Sequence, residues 1–401
     1  MLGIKNDILF KLLIAVSIVI IWVSYSISLF KQKSNNNQEI VISKALGNGN
    51  WETVSGGLLP DLRRIAFDNS GRFGVGVSLE GYLITSKDGG LTWDLAGKIP
   101  LDPDGMEIVN SLAITNDGLF VGTAVDESLY GAIYHLTDSG KWQVQEGSYG
   151  GLLNSANNSV MVGSNGLIAR LSPSLPTSNK SLTDGQTNNS NNGNNKAVEV
   201  SNSSSSNSNN ASNNKETKSK SGKEITNLSE LITLQQLPLW GQINLYSVGQ
   251  KDEKVLVAGD YGLVCLSTDT AKSWKNISPD RTNKFPFYGA AITDDFGLVG
   301  GINGSFWRFN YHKNNWQQIT GLNKELTIFA IYADKEACVV GGGQLMGTSP
   351  FILYSANKGL EWKQELIPQN YGRIVSIAKS INGVFVATID GHILIRKNNS
   401  K

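Results

Sequence analysis

The 401-residue chain is predicted to be all-β, a seven-bladed β-propeller with an N-terminal transmembrane helix. Three observations carry this. A Ser-x-Asp-x-Gly-x-x-Trp motif recurs along the chain. The tryptophans that close it are 42 to 49 residues apart wherever the chain is uninterrupted: Trp51, Trp93 and Trp142, then Trp274, Trp316 and Trp362. Each tryptophan after Trp51 follows the same order of short apolar runs, Gly-rich stretches and turns, which is the signature of a four-stranded blade.

At the N-terminus, residues 12–30 carry no charge and are long enough to cross a hydrocarbon core. Lysines flank the run on both sides, so residues 1–33 are expected to be a cytoplasmic stub and anchor, with residues 34–45 as a linker. A cleaved signal peptide is the alternative, because Ser24, Ser26 and Ser28 supply small residues near a cleavage point. Either way the remaining chain is expected outside the cytoplasm, in a periplasm, at a cell surface or in a thylakoid lumen.

Residues 46–401 are assigned to the propeller. The first blade reads LRRIAFDNSGRFGVGVSLEGYLITSKDGGLTW, that is strand, turn, Gly-rich strand, turn, strand, tight turn and strand start. The pattern repeats before Trp142, Trp274, Trp316 and Trp362. Between Trp142 and Trp274 the interval widens to 132 residues. One blade begins near residue 150, and an Asn/Ser-rich insertion of about 173–226 interrupts it. That insertion lacks the apolar surface needed to offset ordering entropy and is expected to be disordered. The blade's fourth strand is placed at residues 231–237. The last repeat, residues 373–396, has only three strands. Trp51-Glu-Thr-Val has no blade of its own and resembles the strands that begin at Trp274 and Trp316. It is read as the outer strand of the last blade, which closes the ring and leaves about 43 residues per blade.

The motif itself reads as a turn clasp. Its copies are Ser86, Asp88, Gly90 and Trp93; Ser267, Asp269 and Trp274, with Ala271 in the glycine position; and Ser355, Asn357, Gly359 and Trp362. A carboxylate can accept N–H groups of its own turn. Glycine takes positive φ, and Trp wedges between strands. A catalytic group is needed once, whereas this motif recurs. One carboxylate per turn is too few for calcium.

These repeats resemble the Asp-box, or BNR, repeats of sialidases, xyloglucanase-type hydrolases, sortilin-like receptors and, most closely, the photosystem II stability/assembly factor family. Leu62, Ile65, Phe67, Gly76, Gly81, Thr85, Asp88, Gly89, Gly90 and Trp93 fill most of that family's blade pattern. The resemblance implies a seven-bladed, non-enzymatic propeller in the thylakoid lumen or periplasm that assists photosystem II assembly by binding newly inserted reaction-centre protein. It also implies an arginine-rich patch. This chain differs in its membrane span and its Asn/Ser insertion.

The remaining chemistry is sparse. The net charge of +1 gives no footprint for nucleic acid. Eight arginines, three histidines and two cysteines leave little for a sialidase trio, a Ser/His/Asp triad or a metal site, and no cofactor is called for. Cys265 and Cys338 read as separate buried thiols. Asp126, Glu127, Asp294 and Asp295 read as turn acids. One constellation stands out. Arg63 and Arg64 start the innermost strand of the first blade, and Arg373 starts that of the last. Ring closure makes these blades neighbours, so the three cations are expected to meet at one rim of the channel. The expected partner is a protein, such as a membrane-protein tail or loop with acidic groups, bound by a monomer. The alternative is a carbohydrate-binding, glycoside hydrolase or sialidase-like Asp-box propeller, which would show a channel lined by Trp and paired carboxylates.

Overall fold

The structure, a computed structural model, describes residues 40–47, 51–102, 107–125, 131–137, 139–147, 154–156, 159–171, 231–237, 243–279, 284–346, 349–367 and 371–397. All of them belong to one compact unit. The anchor at residues 12–30 and the insertion at 173–226 lie outside the described residues. Among the described residues no helix is long and apolar enough to cross a membrane.

The chain is an all-β propeller of mostly four-stranded antiparallel sheets. Strands β1 (Ile40–Gly47) and β2 (Trp51–Ser55) precede the repeats. β3 (Leu62–Phe67), β4 (Gly74–Ser78), β5 (Tyr82–Ser86) and β6 (Asp94–Lys98) form one sheet. β7 (Glu107–Thr115), β8 (Gly118–Val125), β9 (Gly131–Leu136) and β10 (Trp142–Gly147) form the next. The third holds β11 (Asn154–Ala156), β12 (Val160–Val162), β13 (Leu167–Leu171) and β14 (Ile232–Gln236). The fourth holds β15 (Leu245–Lys251), β16 (Lys254–Gly259), β17 (Val264–Ser267) and β18 (Lys275–Asn276). Then come β19 (Phe287–Ile292), β20 (Phe296–Gly301), β21 (Phe306–Asn310) and β22 (Asn315–Thr320), followed by β23 (Leu326–Ala333), β24 (Cys338–Gln344), β25 (Phe351–Ser355) and β26 (Trp362–Glu365). β1 joins these two sets into one nine-stranded sheet. β27 (Ile374–Lys379), β28 (Gly383–Thr388) and β29 (Ile393–Lys397) take β2 as their fourth strand.

The first strand of each set packs on the first strand of the next: β3 on β7, β7 on β11, β11 on β15, β15 on β19, β19 on β23, β23 on β27, and β27 back on β3. Second strands are almost wholly buried, and β4, β20 and β28 are buried along their full length. Their glycines let neighbouring sheets approach. A Cβ at Gly341 would lie 2.5 Å from Ile374 of the following sheet, and one at Gly300 would lie 2.6 Å from Ile328. Cys265 and Cys338 are free and buried in separate strands.

Residues 40–45 of the stretch expected as a linker belong instead to β1. Ile40 and Val41 pair in parallel with Ile319 and Thr320, while Ile42 and Ser43 pair with Trp362 and Lys363. The alternation explains the seat. Ile40 and Ile42 are buried in the cluster of Phe306, Ile319 and Trp362, and Val41 faces outward. β1 thereby covers the edges of two outer strands that would otherwise present unpaired backbone.

Closure is made by β2. Trp51 pairs with Arg396, Glu52 with Ile395 and Thr53 with Leu394. The buried Glu365 of β26 accepts the Trp51 indole N–H at 2.7 Å and the Arg396 guanidinium at 2.9 and 3.0 Å. That guanidinium also lies 3.5 Å from the ring centre of Tyr354. One carboxylate therefore ties the closing strand, the strand beside it and the preceding sheet together. β14 resumes directly opposite β13, with Ile232 paired to Leu171.

Two outcomes are expected. Glu365→Ala leaves Arg396 buried without its partner and should cost about 3–5 kcal/mol in urea unfolding; a cost below about 1 kcal/mol would contradict the clasp. Deleting residues 173–226 leaves a short connection between paired strand ends, so the melting temperature should change little. Loss of folded protein would show that the segment is needed for the third sheet.

Candidate functional site

The recurrent motif forms the same clasp each time. Ser86 Oγ donates to Asp88 Oδ1 at 2.8 Å and accepts the Gly90 N–H at 2.8 Å. Asp88 accepts the N–H groups of Leu91 and Thr92, both at 3.0 Å, and the Thr92 hydroxyl at 2.6 Å. Trp93 donates its indole N–H to Gly90 O at 2.9 Å. Ser267 and Asp269 repeat this with the N–H groups of Lys272 and Ser273. Ser355 and Asn357 repeat it with Glu361, and Trp362 bonds Gly359 O at 3.0 Å. The middle copy is imperfect. Ala271 holds φ 59°, where glycine is at ease. Its carbonyl accepts Gln235 from the neighbouring sheet, and the indole nitrogen of Trp274 is left without a partner among the described residues.

Hydrogen bonds from Thr92, Ser86 and Leu91 outweigh burial and hold the Asp88 carboxyl down at about 2. Asp269 is lowered in the same way, first by Ser273. These acids serve their own turns. The first clasp also docks on the last sheet: Ser380 donates to Gly89 O and Asn382 to Asp88 O. It therefore sits at the end of the propeller where the innermost strands finish.

A cavity of about 880 Å³ runs along the innermost strands. It starts at Arg64, Ser247, Ala290, Phe329 and Val375 and reaches Asp68, Lys251, Asp294, Asp334 and Lys379. Most acids at that far end are engaged. Asp295 pairs with Lys358 and lies near His312, while Asp334 and Glu336 share Lys379. Asp68 caps its own turn through the N–H groups of Arg72 and Phe73. Asp126 and Glu127 lie outside the described residues. His135 is buried, stacks on Phe120 and bonds Asp117 O. Among the described residues no group of three His, Cys, Asp or Glu side chains gathers as a metal site would require.

The three arginines lie together at the opposite end, where the innermost strands begin. Arg64 donates to Arg63 O at 2.9 Å and to Val375 O at 3.1 Å, across the junction of first and last sheets. Arg373 donates to Leu345 O at 2.8 Å, and its guanidinium lies 5.2 Å from the Phe329 ring centre. Burial lowers Arg63, and the field of Arg373 lowers it further, with Asp61 opposing. Burial, then Arg63, brings Arg64 down to about 10. All three remain cations at neutral pH. Neither Arg63 nor Arg373 forms an ion pair among the described residues. The register differs from the sequence reading. Leu62 and Ile374 occupy equivalent ladder positions, so Arg373 precedes its strand and matches Asp61 rather than Arg63.

Sequence reasoning missed the aromatics beside these cations. Tyr246 and Tyr288 meet edge to face at 4.9 Å, and Tyr288 stacks on Phe329 at 5.9 Å. The signal was present: Tyr246, Tyr288 and Phe329 follow the buried apolar residues Leu245, Phe287 and Ile328, as Arg63 follows Leu62.

No protein-family model and no curated protein matches the chain. Solved structures do. The chain is similar to one described as YCF48 bound to D1 peptide, at 14% identity over 89% of this chain and 99% of that one, with a TM-score of 0.55. It is similar to a chain of the mitotic checkpoint complex, at 11% identity over 91% and 100%, with a TM-score of 0.53. It is also similar to U3-55K, at 12% identity over 86% and 98%, with a TM-score of 0.53. At these identities the likeness is one of fold.

The clasp makes a direct prediction. Asn357 performs the carboxylate's role in the third copy, so Asp88→Asn should leave thermal stability nearly unchanged, whereas Asp88→Ala should cost about 1–2 kcal/mol. A folded pKa below the ordinary 3.8 means that the ionised clasp contributes fully above that pH and fades as pH falls toward about 2. Asp88→Asn should remove that part of the acid sensitivity. Equal destabilisation by Asn and Ala would contradict the clasp.

Proposed function

We propose that the chain is a seven-bladed, non-enzymatic, protein-binding propeller that acts outside the cytoplasm and takes an acidic segment of its partner at the rim formed by Arg63, Arg64 and Arg373. The blade count treats the two halves of the nine-stranded sheet as separate blades stitched by β1, and β2 as the outer strand of the last blade. The single observation that carries the binding reading is the meeting of three cations at one channel end, two of them, Arg63 and Arg373, without an ion-pair partner among the described residues. Exposed ion pairs add little on their own. Cations half-buried on rigid strands are partly desolvated before a ligand arrives, which strengthens their pull on a carboxylate.

The assembly-factor resemblance supports the same choice, as does the likeness to a propeller solved with a peptide. The apolar run at 12–30 supports an extracytoplasmic, membrane-held placement. A hydrolytic reading has less support. The acids Asp295, Asp334 and Glu336 along the cavity are engaged by Lys358 and Lys379 rather than set as a free pair across a bond.

Arg63→Glu with Arg373→Glu tests this. Arg64 is left in place because it bridges two sheets. Crosslinking in the native membrane, followed by capture, should show partners of the wild-type chain that are lost or reduced at least tenfold in the double variant. An unchanged crosslink profile, with the fold intact by circular dichroism, rejects the rim.

A further inference from the structure

Six of the innermost strands, all but β11, share an irregularity among the described residues. Pairing skips one residue between Leu62 and Arg64, Val109 and Ser111, Leu245 and Ser247, Phe287 and Gly289, Ile328 and Ala330, and Ile374 and Ser376. The residues left over are Arg63, Asn110, Tyr246, Tyr288, Phe329 and Val375. A bulge frees a residue from the ladder and re-aims its side chain. Its recurrence at one register makes a collar around one end of the channel.

Part of the collar is continuous. Tyr246 touches Tyr288, Tyr288 stacks on Phe329, and Phe329 faces the Arg373 guanidinium, which acts on Arg63. Each of these side chains is half-buried, so one side is fixed by packing and the other is open. The arc has polarity. Asp260 lies beside Tyr246 and Tyr288 at one end, and the arginines occupy the other. Arg63 Nε is buried and has no hydrogen-bond partner among the described residues. The turn whose carbonyl holds Arg373 exposes Leu345 and, at 97% exposure, Met346. Rigid aromatics next to arginine are what protein interfaces use as anchors, since little side-chain entropy remains to be lost.

We propose that this arc binds an extended protein segment in which a carboxylate adjoins an aromatic or large apolar side chain. The carboxylate lies on Arg63 and Arg373, and the apolar group lies over Phe329 and Tyr288. The proposal rests on the acidic-partner reading above and adds a second requirement to it. The polarity sets the direction: an acidic group is favoured at the arginine end and disfavoured beside Asp260. The carboxylate can come from Asp or Glu or from a chain terminus, and these share one chemistry.

The test uses the full-length chain and a randomised heptapeptide library displayed in two formats, one with free C-termini and one embedded between fixed flanks. Selected peptides should pair an acidic residue, or the terminus itself, with a neighbouring Phe, Tyr, Trp, Leu or Met. Enrichment in the free-terminus format alone identifies the α-carboxylate as the source. Calorimetric titration of a selected peptide should then weaken about tenfold for Tyr288→Ala and for Phe329→Leu. The same peptide with its apolar residue replaced by Ala should bind both variants as it binds wild type. Arg63→Gln should weaken both peptides. Phe329→Leu keeps apolar volume, so it remains informative if larger truncations unfold the chain. Acidic peptides selected without regard to their neighbours would overturn the aromatic requirement and leave the acidic-partner reading standing. Absence of acidic-residue enrichment in both formats, together with no preference for the free-terminus format, would overturn both.

Discussion

Glu365 accepts four hydrogen bonds from two residues far apart in the chain, Trp51 and Arg396. The rest of the structure depends on this junction. A propeller with a three-stranded last blade has an exposed edge and a gap between its first and last sheets. β2 fills the edge, and the buried carboxylate fastens it to the preceding sheet. Such a charge is costly to bury alone. It is tolerated here because an arginine and an indole satisfy it on one side while Tyr354 lies against the guanidinium on the other.

Closure is also what creates the rim. Arg64 reaches Val375, 311 residues along the chain, and Ile65 N–H donates to Ser376 Oγ at 3.1 Å. Without closure these contacts have no geometry. With it, like charges are held together at the start of the innermost strands, and burial lowers the affinity of each for its own proton, helped at Arg63 by Arg373 and at Arg64 by Arg63. The two ends of the channel thereby differ in kind. At one end, acids and lysines neutralise one another. At the other, cations and aromatics stand open.

Much of this was legible in the sequence. The Trp ruler reports a covalent period, because each blade needs one wedge at one register, and it located Trp51 as a strand without a blade. The Ser-x-Asp clasp was legible because the bonds that close its turn are local. β1 was not. Ile40 and Ile42 look like any short apolar run, and their partners Ile319 and Trp362 are fixed only after two blades have folded side by side. Arg63, Arg64 and Arg373 were expected at the starts of their strands; Arg373 instead precedes its strand by one residue, because strand starts blur by a residue or two. The aromatic arc was hidden for a different reason. A bulge is a fault in pairing and leaves no composition signal, so Tyr246, Tyr288 and Phe329 become a group only when the repeats are aligned on Leu62, Leu245, Phe287 and Ile328.

The claim on which both the fold and the rim rest is that the first and last sheets are neighbours. Proximity across that seam can be measured in a Cys265→Ser, Cys338→Ser background carrying Arg63→Cys and Arg373→Cys, treated with a short bismaleimide at low protein concentration. The account predicts efficient intramolecular crosslinking, seen as a covalent link between the peptide bearing position 63 and the peptide bearing position 373. Full modification of both thiols without a crosslink would contradict it.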